Sequence, residues 1–134
     1  MMFTFKRKIN FHDCDPAGIL FFARIYDLCH SAYEEMINSF GLGEDYWNNP
    51  DYVVPILHSE AKYRSPLKYG DTATVEIRVS VLKDSSFELS YKCRDGKGDE
   101  CAEVRTVHVF VERSSWKKHP MKETIKKGLA QHAE

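Results

Sequence analysis

Ile25-Tyr26-Asp27-Leu28-Cys29-His30-Ser31-Ala32-Tyr33-Glu34-Glu35-Met36-Ile37-Asn38-Ser39-Phe40 decides the fold class, because its apolar residues recur at spacings of three and four. Ile25, Leu28, Cys29, Ala32, Met36, Ile37 and Phe40 form one stripe, while Asp27, His30, Ser31, Glu34, Glu35 and Asn38 fill the other face. This is the pattern of an amphipathic helix with one side turned to a core. Gly41, with Gly43 close behind, supplies the stop.

On either side of this helix the pattern changes. Upstream, Phe3 to Asn10 reads as a short first strand, followed by a turn-rich segment over residues 11 to 18. Downstream, residues 44 to 52 read as a loop or short helical turn, and from residue 53 the period becomes two. Val53 to Tyr63 is strand-like and ends at Ser65-Pro66. Ala73, Val75, Ile77, Val79 and Val81 alternate with Thr72, Thr74, Glu76, Arg78 and Ser80, which predicts a strand with one wet face. Phe87, Leu89, Tyr91 and Cys93 alternate in the same way. Asp95-Gly96-Lys97-Gly98-Asp99 signals a hairpin, and Cys101 to Glu112 is the last strand. A loose helix from Met121 closes the chain. One amphipathic helix and strands joined by short turns predict an α+β protein: a five-stranded antiparallel sheet wrapped around a long central helix. That is the hotdog architecture. No alternation of strands with crossover helices suggests a doubly wound fold.

The 134 residues fit a single domain spanning 1–134. A hydrophobic content of 43% places the chain with globular proteins, and a formal net charge of -1 argues against wholesale nucleic-acid binding. Charge is uneven along the chain. Residues 25 to 61 carry seven acidic groups and no Lys or Arg, whereas Arg113, Lys117, Lys118, Lys122, Lys126 and Lys127 face only Glu123 over residues 113 to 127. Such a basic end suits a phosphorylated ligand, although a solvated C-terminal helix is the plainer reading. Cys14, Cys29, Cys93 and Cys101 contain no Cys-x-x-Cys pair, so free thiols in a reducing cytoplasm are expected. Neither a signal peptide nor a run long enough to span a membrane is apparent.

His12-Asp13-Cys14-Asp15-Pro16-Ala17-Gly18 concentrates ionisable groups just ahead of the helix. Consecutive residues converge poorly on one ion, so no metal is expected; His30 and Glu34 read as an exposed helical pair. Three readings of Asp15 remain open. It can cap a helix with Pro16 at the first helical position. It can be a catalytic carboxylate beside unpaired backbone N–H groups, which would make a minimal acyl-transfer site without a Ser-His-Asp triad. Or it can belong to a site that binds an acyl group and does nothing more. No G-x-S-x-G elbow is present.

Asp13-Cys14-Asp15-Pro16-Ala17-Gly18-Ile19-Leu20-Phe21-Phe22-Ala23-Arg24-Ile25-Tyr26 resembles the signature of the 4-hydroxybenzoyl-CoA thioesterase family: Asp-x-Asp-x-x-Gly, then apolar and aromatic residues, then a helix. Tyr63-x-x-Pro66-x-x-x-Gly70-Asp71 matches the wider family pattern. Leu28 to Glu34 and Val54 to His58 look especially like the 1,4-dihydroxy-2-naphthoyl-CoA hydrolases of quinone biosynthesis.

The resemblance implies an acyl-CoA thioesterase that releases a free acid and coenzyme A, with coenzyme A as part of the substrate and no other cofactor. A non-catalytic acyl-CoA-binding protein of the same fold is the alternative from another class. By likeness to the family, Asp15 is the catalytic carboxylate, as nucleophile or as general base. The backbone N–H of Phe22 serves the thioester oxygen. Pro16, Gly18, Tyr26, His58 and Ser59 are candidate substrate contacts; a turn glycine, core tyrosine or ordinary strand histidine is the plainer alternative for Gly18, Tyr26 and His58. Arg64, Lys68, Arg113 and Lys117 are candidates for the coenzyme A phosphates. Family sites lie where two sheets join edge to edge, so a homodimer or homotetramer is expected. No His is placed beside an acid as a hotdog dehydratase requires.

Overall fold

The structure is a computed structural model that describes residues 1–133. The chain begins with strand β1 (Phe3–Lys8), passes through one tight helical turn at Phe11–Asp13, and reaches helix α1 (Arg24–Asn38). Then come β2 (Tyr52–Val53), β3 (Ile56–Tyr63), β4 (Thr72–Leu82), β5 (Ser86–Arg94), β6 (Glu100–Val109), β7 (Val111–Glu112) and helix α2 (Glu123–Ala130). Five strands form one antiparallel sheet in the order β1-β4-β5-β6-β3, and β2 pairs with β7 separately. This is the α+β hotdog arrangement that the alternating pattern predicted, with α1 lying over β1 and β4.

Burial explains why these elements hold. Ile25, Leu28, Cys29, Ala32, Met36 and Ile37 of α1 are buried, as the stripe requires, and Tyr33 joins them. They meet Ala73, Val75, Ile77 and Val79 of β4 and Phe87, Leu89, Tyr91 and Cys93 of β5 in one apolar cluster.

Two expected boundaries move. The strand expected over Val53 to Tyr63 is two strands, because Pro55 has no N–H to give a ladder and separates β2 from β3. The strand expected over Cys101 to Glu112 is likewise interrupted, at buried Phe110, so that β7 leaves the large sheet to pair with β2. The C-terminal helix is also less loose than its charge suggests. Ile125 and Leu129 of α2 are buried, and a Cβ at Gly128 would collide with the ring of Phe40.

β3 behaves unlike the other long strands. It occupies one edge of the sheet, and of its eight residues only Ala61 is even partly shielded. Its pairing with β6 puts Ile56, Ser59, Ala61 and Tyr63 opposite the inward-facing His108, Thr106, Val104 and Ala102. An extra residue at Leu57 makes a bulge. The inner face of β3 therefore looks across a seam towards α1, and the chain itself supplies little to fill it.

Candidate active site

The segment from Asn10 to Leu20 is built by backbone demands before any chemistry. Asp13 is buried: its Oδ2 accepts from the Asn10 N–H at 2.9 Å, which closes the turn at Phe11–Asp13. Its C=O accepts the Phe21 N–H at 3.0 Å, tying both ends of the segment together. Asp15, two residues on, is only partly buried. Its Oδ1 accepts the Ala17 N–H at 2.8 Å, and its C=O accepts the Gly18 N–H at 3.0 Å. Pro16 sits at the corner of this turn, where its fixed φ fits. Gly18 adopts φ +79, and a Cβ there would meet nothing within 4 Å. The glycine is thus required by the backbone conformation, not by a close approach of another group.

The helix-cap reading of Asp15 does not survive. Helix α1 begins at Arg24 with Ala23 as its cap residue, and no side chain caps it. Ile19 and Leu20 intervene in an extended conformation, with the Leu20 N–H bonded to the Leu67 C=O at 2.7 Å. The proline that suggested a helix start marks a turn instead. The uncapped end of α1 nevertheless comes back to Asp15: both border a cavity of about 430 Å³ walled by Ile19, Leu20, Phe21, Phe22 and Ile25. Tyr63, Arg64, Ser65 and Ala102 line its other side. Among the described residues the N–H groups of Phe22 and Ala23 have no acceptor. The site thus holds a carboxylate, an unpaired donor at a helix N-terminus and mostly apolar walls.

The remaining candidates fall in several places. Tyr26 and Ser59 line a second cavity of about 230 Å³ with Cys29, His30, Ile56, Tyr91 and Thr106. A third, of about 320 Å³, lies further along α1 beside His30, Tyr33, Trp47 and Ile56. His58 turns the other way, because neighbouring strand residues face opposite sides. Its Nε2 lies 3.4 Å from Glu60 on the outer surface. Arg64 borders the first cavity, but its guanidinium is already engaged by Glu100 at 2.6 Å and Glu103 at 2.9 Å. Hydrogen bonding and attraction from Glu103, then Glu100, raise its pKa. Arg113 donates from Nε to the Asn49 C=O at 2.8 Å, and Lys117 lies on the exposed turn after β7; neither borders the cavity. Lys68 is exposed beside Leu67, with its N–H on Asp71. His30 and Glu34 form the exposed helical pair expected of them, at 3.2 Å.

Sequence reading did not single out Tyr63 as a site residue, nor the inner network behind the second cavity. Tyr91 O–H and Thr106 Oγ1 lie 2.9 Å apart, and Thr106 Oγ1 lies 2.7 Å from His108 Nε2. His108 is fully buried between Phe87 and Tyr33, and its Nδ1 has no partner. Burial, with a smaller repulsion from His30, lowers its pKa to about 3. Their neighbours Arg105, Val107 and Val109 give no clear alternation, so the sequence held little sign that Thr106 and His108 face inward. Among the described residues no group of three or more His, Cys, Asp or Glu could hold a metal ion, and no helix is long and apolar enough to cross a membrane.

Comparison with known proteins agrees with this fold. Residues 9–129 match the family described as the thioesterase-like superfamily. A 1,4-dihydroxy-2-naphthoyl-CoA hydrolase from Gloeothece citriformis is 31% identical over 82% of this chain and 79% of its own length. One from Trichodesmium erythraeum is 28% identical over 96% of each chain. In three dimensions, a 1,4-dihydroxy-2-naphthoyl-CoA thioesterase from Synechocystis superimposes with a TM-score of 0.89 over 97% of this chain and 96% of its own, at 23% identity.

Proposed function

We infer the reaction from one premise: the chain belongs to the thioesterase-like superfamily and is a hydrolase of acyl-CoA thioesters. The substrate we propose is an aromatic acyl-CoA of the 1,4-dihydroxy-2-naphthoyl kind, after the relatives that match the chain along most of its length. The observation that carries the catalytic reading is the meeting of Asp15 and the unpaired N–H of Phe22 on one apolar cavity. A thioester carbonyl placed between them has its oxygen on the Phe22 N–H. The Asp15 carboxylate then either takes a proton from an attacking water or attacks the carbon itself. The C–S bond breaks, coenzyme A leaves, and water supplies the acid's second oxygen. The donor is most valuable as negative charge gathers on the oxygen, and the apolar walls keep competing water away.

On this reading coenzyme A enters as part of the substrate, and no metal or other cofactor takes part. Lys68, next in the chain to Leu67 of the cavity wall, is the best placed of the basic candidates for its phosphates, since the Arg64 charge is already compensated. The exposed edge of β3 supports a homodimer, which would bring a second copy to the seam beside the site. Four free thiols suit a cytoplasmic setting.

The test is release of free thiol from a panel of short, long and aromatic acyl-CoAs. The hydroxynaphthoyl thioester should give the highest kcat/KM. Preference for a long aliphatic chain would overturn the substrate assignment. Binding of acyl-CoAs with no release from any of them would favour a non-catalytic acyl-CoA-binding protein.

A further inference from the structure

We propose that Tyr63 is the positioning residue of this site: its hydroxyl holds Phe22, and with it the N–H that meets the thioester oxygen. The proposal rests on the roles given above to Asp15 and Phe22.

The start of α1 is poorly held by its own helix. No side chain caps it, and after the Arg24 N–H to Phe21 C=O bond at 2.8 Å the next two turn-closing bonds are long: Ile25 N–H to Phe22 C=O and Tyr26 N–H to Ala23 C=O, each 3.4 Å. Good amide bonds of this type span about 2.7–3.2 Å. The Tyr63 O–H donates to the same Phe22 C=O at 2.5 Å. The shortest bond to the Phe22 C=O therefore comes from another strand, 41 residues further along the chain.

That strand end is firm. Tyr63 pairs with Ala102, and the N–H groups of Arg64 and Ser65 both donate to the Cys101 C=O, at 2.8 and 3.2 Å. Tyr63, Phe22 and Asp15 all border the 430 Å³ cavity, so the anchor stands at the site itself. Burial first, then the Tyr26 phenol and the thiols of Cys29 and Cys93, pushes the Tyr63 phenol up from its ordinary value. It stays protonated through the neutral range, able to donate. The Phe22 N–H lies in the preceding peptide, whose Phe21 C=O accepts the Arg24 N–H at 2.8 Å, while Tyr63 pins the peptide that follows. Held on both sides of its Cα, Phe22 leaves its N–H little angular freedom, and an oxyanion donor acts only if it is already aimed.

Tyr63→Phe separates this role from mere packing, because it deletes one hydroxyl and keeps the ring that walls the cavity. kcat on the best acyl-CoA should fall by ~10-fold, with KM within about twofold and little change in melting temperature. Amide hydrogen exchange over residues 21 to 26 should quicken in the variant. An unchanged kcat overturns the proposal, and so does a loss expressed wholly in KM, which would make Tyr63 a substrate contact. Disappearance of an alkaline limb from the kcat–pH profile would overturn it in favour of proton transfer by the phenol. If the wild-type protein hydrolyses no acyl-CoA, the thioesterase reading fails, yet the exchange measurement still decides whether Tyr63 holds the turn.

Discussion

The sheet has two unlike halves. Under α1, β4 and β5 turn Ala73, Val75, Ile77, Val79, Phe87, Leu89, Tyr91 and Cys93 inward, and every one is buried. At the other edge, β3 turns Ile56, Ser59, Ala61 and Tyr63 inward, yet Ile56 remains 44% exposed and Tyr63 50%. Both halves have the same strand geometry and the same alternation. They differ in what lies opposite: α1 crosses over β1 and β4 and leaves the β3 side facing a seam. The three cavities bordered by Asp15, by Ser59 and by Trp47 all open along that seam. The closed half is thus packed, and the open one keeps unfilled space next to polar groups that can receive a ligand.

The largest expected effect tests this division directly. Asp15→Asn should keep the Ala17 N–H bond, since an amide oxygen accepts it as well, and should leave melting nearly unchanged. An amide is a poor nucleophile and a poor base, so turnover should fall by at least ~100-fold. Leu89→Ala on the closed side should do the opposite, costing about 3 kcal/mol of stability while the folded fraction keeps its activity. Near-normal turnover in Asp15→Asn would break the comparison at its functional end.

A second effect concerns the open edge. Leu57 is 68% exposed on a strand whose outer edge pairs with no other strand among the described residues. If a second copy covers that edge, the wild-type protein should sediment as a dimer or larger at micromolar concentration. Ser59→Pro, which inserts a residue that cannot donate and that disfavours regular pairing, should shift it towards a single chain and reduce turnover. Sedimentation of the wild type as one chain would show that the seam is closed by ligand alone.

The smallest effect is one of pH, and it belongs to the closed half. His108 is buried neutral, with its pKa lowered to about 3 chiefly by burial. An unfolded histidine takes up a proton near pH 6.5 and the folded one does not. The contribution to stability is therefore complete above about pH 6.5 and lost progressively as pH falls towards 3. His108→Phe keeps an aromatic ring between Phe87 and Tyr33, and Thr106 retains Tyr91. Urea unfolding at pH 7 and pH 5 should show a smaller drop for the variant than for the wild type; equal drops would deny His108 this role.

Much of the closed half was legible in the residues. The apolar stripe of α1 and the alternation of β4 and β5 are local periodicities, and burial follows them because a helix or strand has a fixed repeat. The expected strand over Val53 to Tyr63 ran through Pro55, although a residue that cannot donate marks the break there. The His58–Ser59 pair shows how alternation, pressed further, limits what adjacent strand residues can share: only Ser59 faces the seam.

The open half needed the tertiary structure. Asp13 closes a local turn on the Asn10 N–H, but that it is buried while Asp15 faces a cavity depends on the chain folding back at Phe21 and Leu67. The Asp15-Pro16 pair suits a helix start as well as a turn, and Gly18, Ile19 and Leu20, which separate it from α1, are tied to the distant segment Leu67 to Tyr69. Arg64 looks like a free cation until Glu100 and Glu103 arrive from β6. Tyr63 gains its importance only because β3 ends beside the start of α1. Sequence alone determined which faces are apolar, since that follows from backbone repeat. Which of those faces was left unfilled, and which polar groups look into the gap, depended on where α1 lies across the sheet, and contacts distant in the chain decide that.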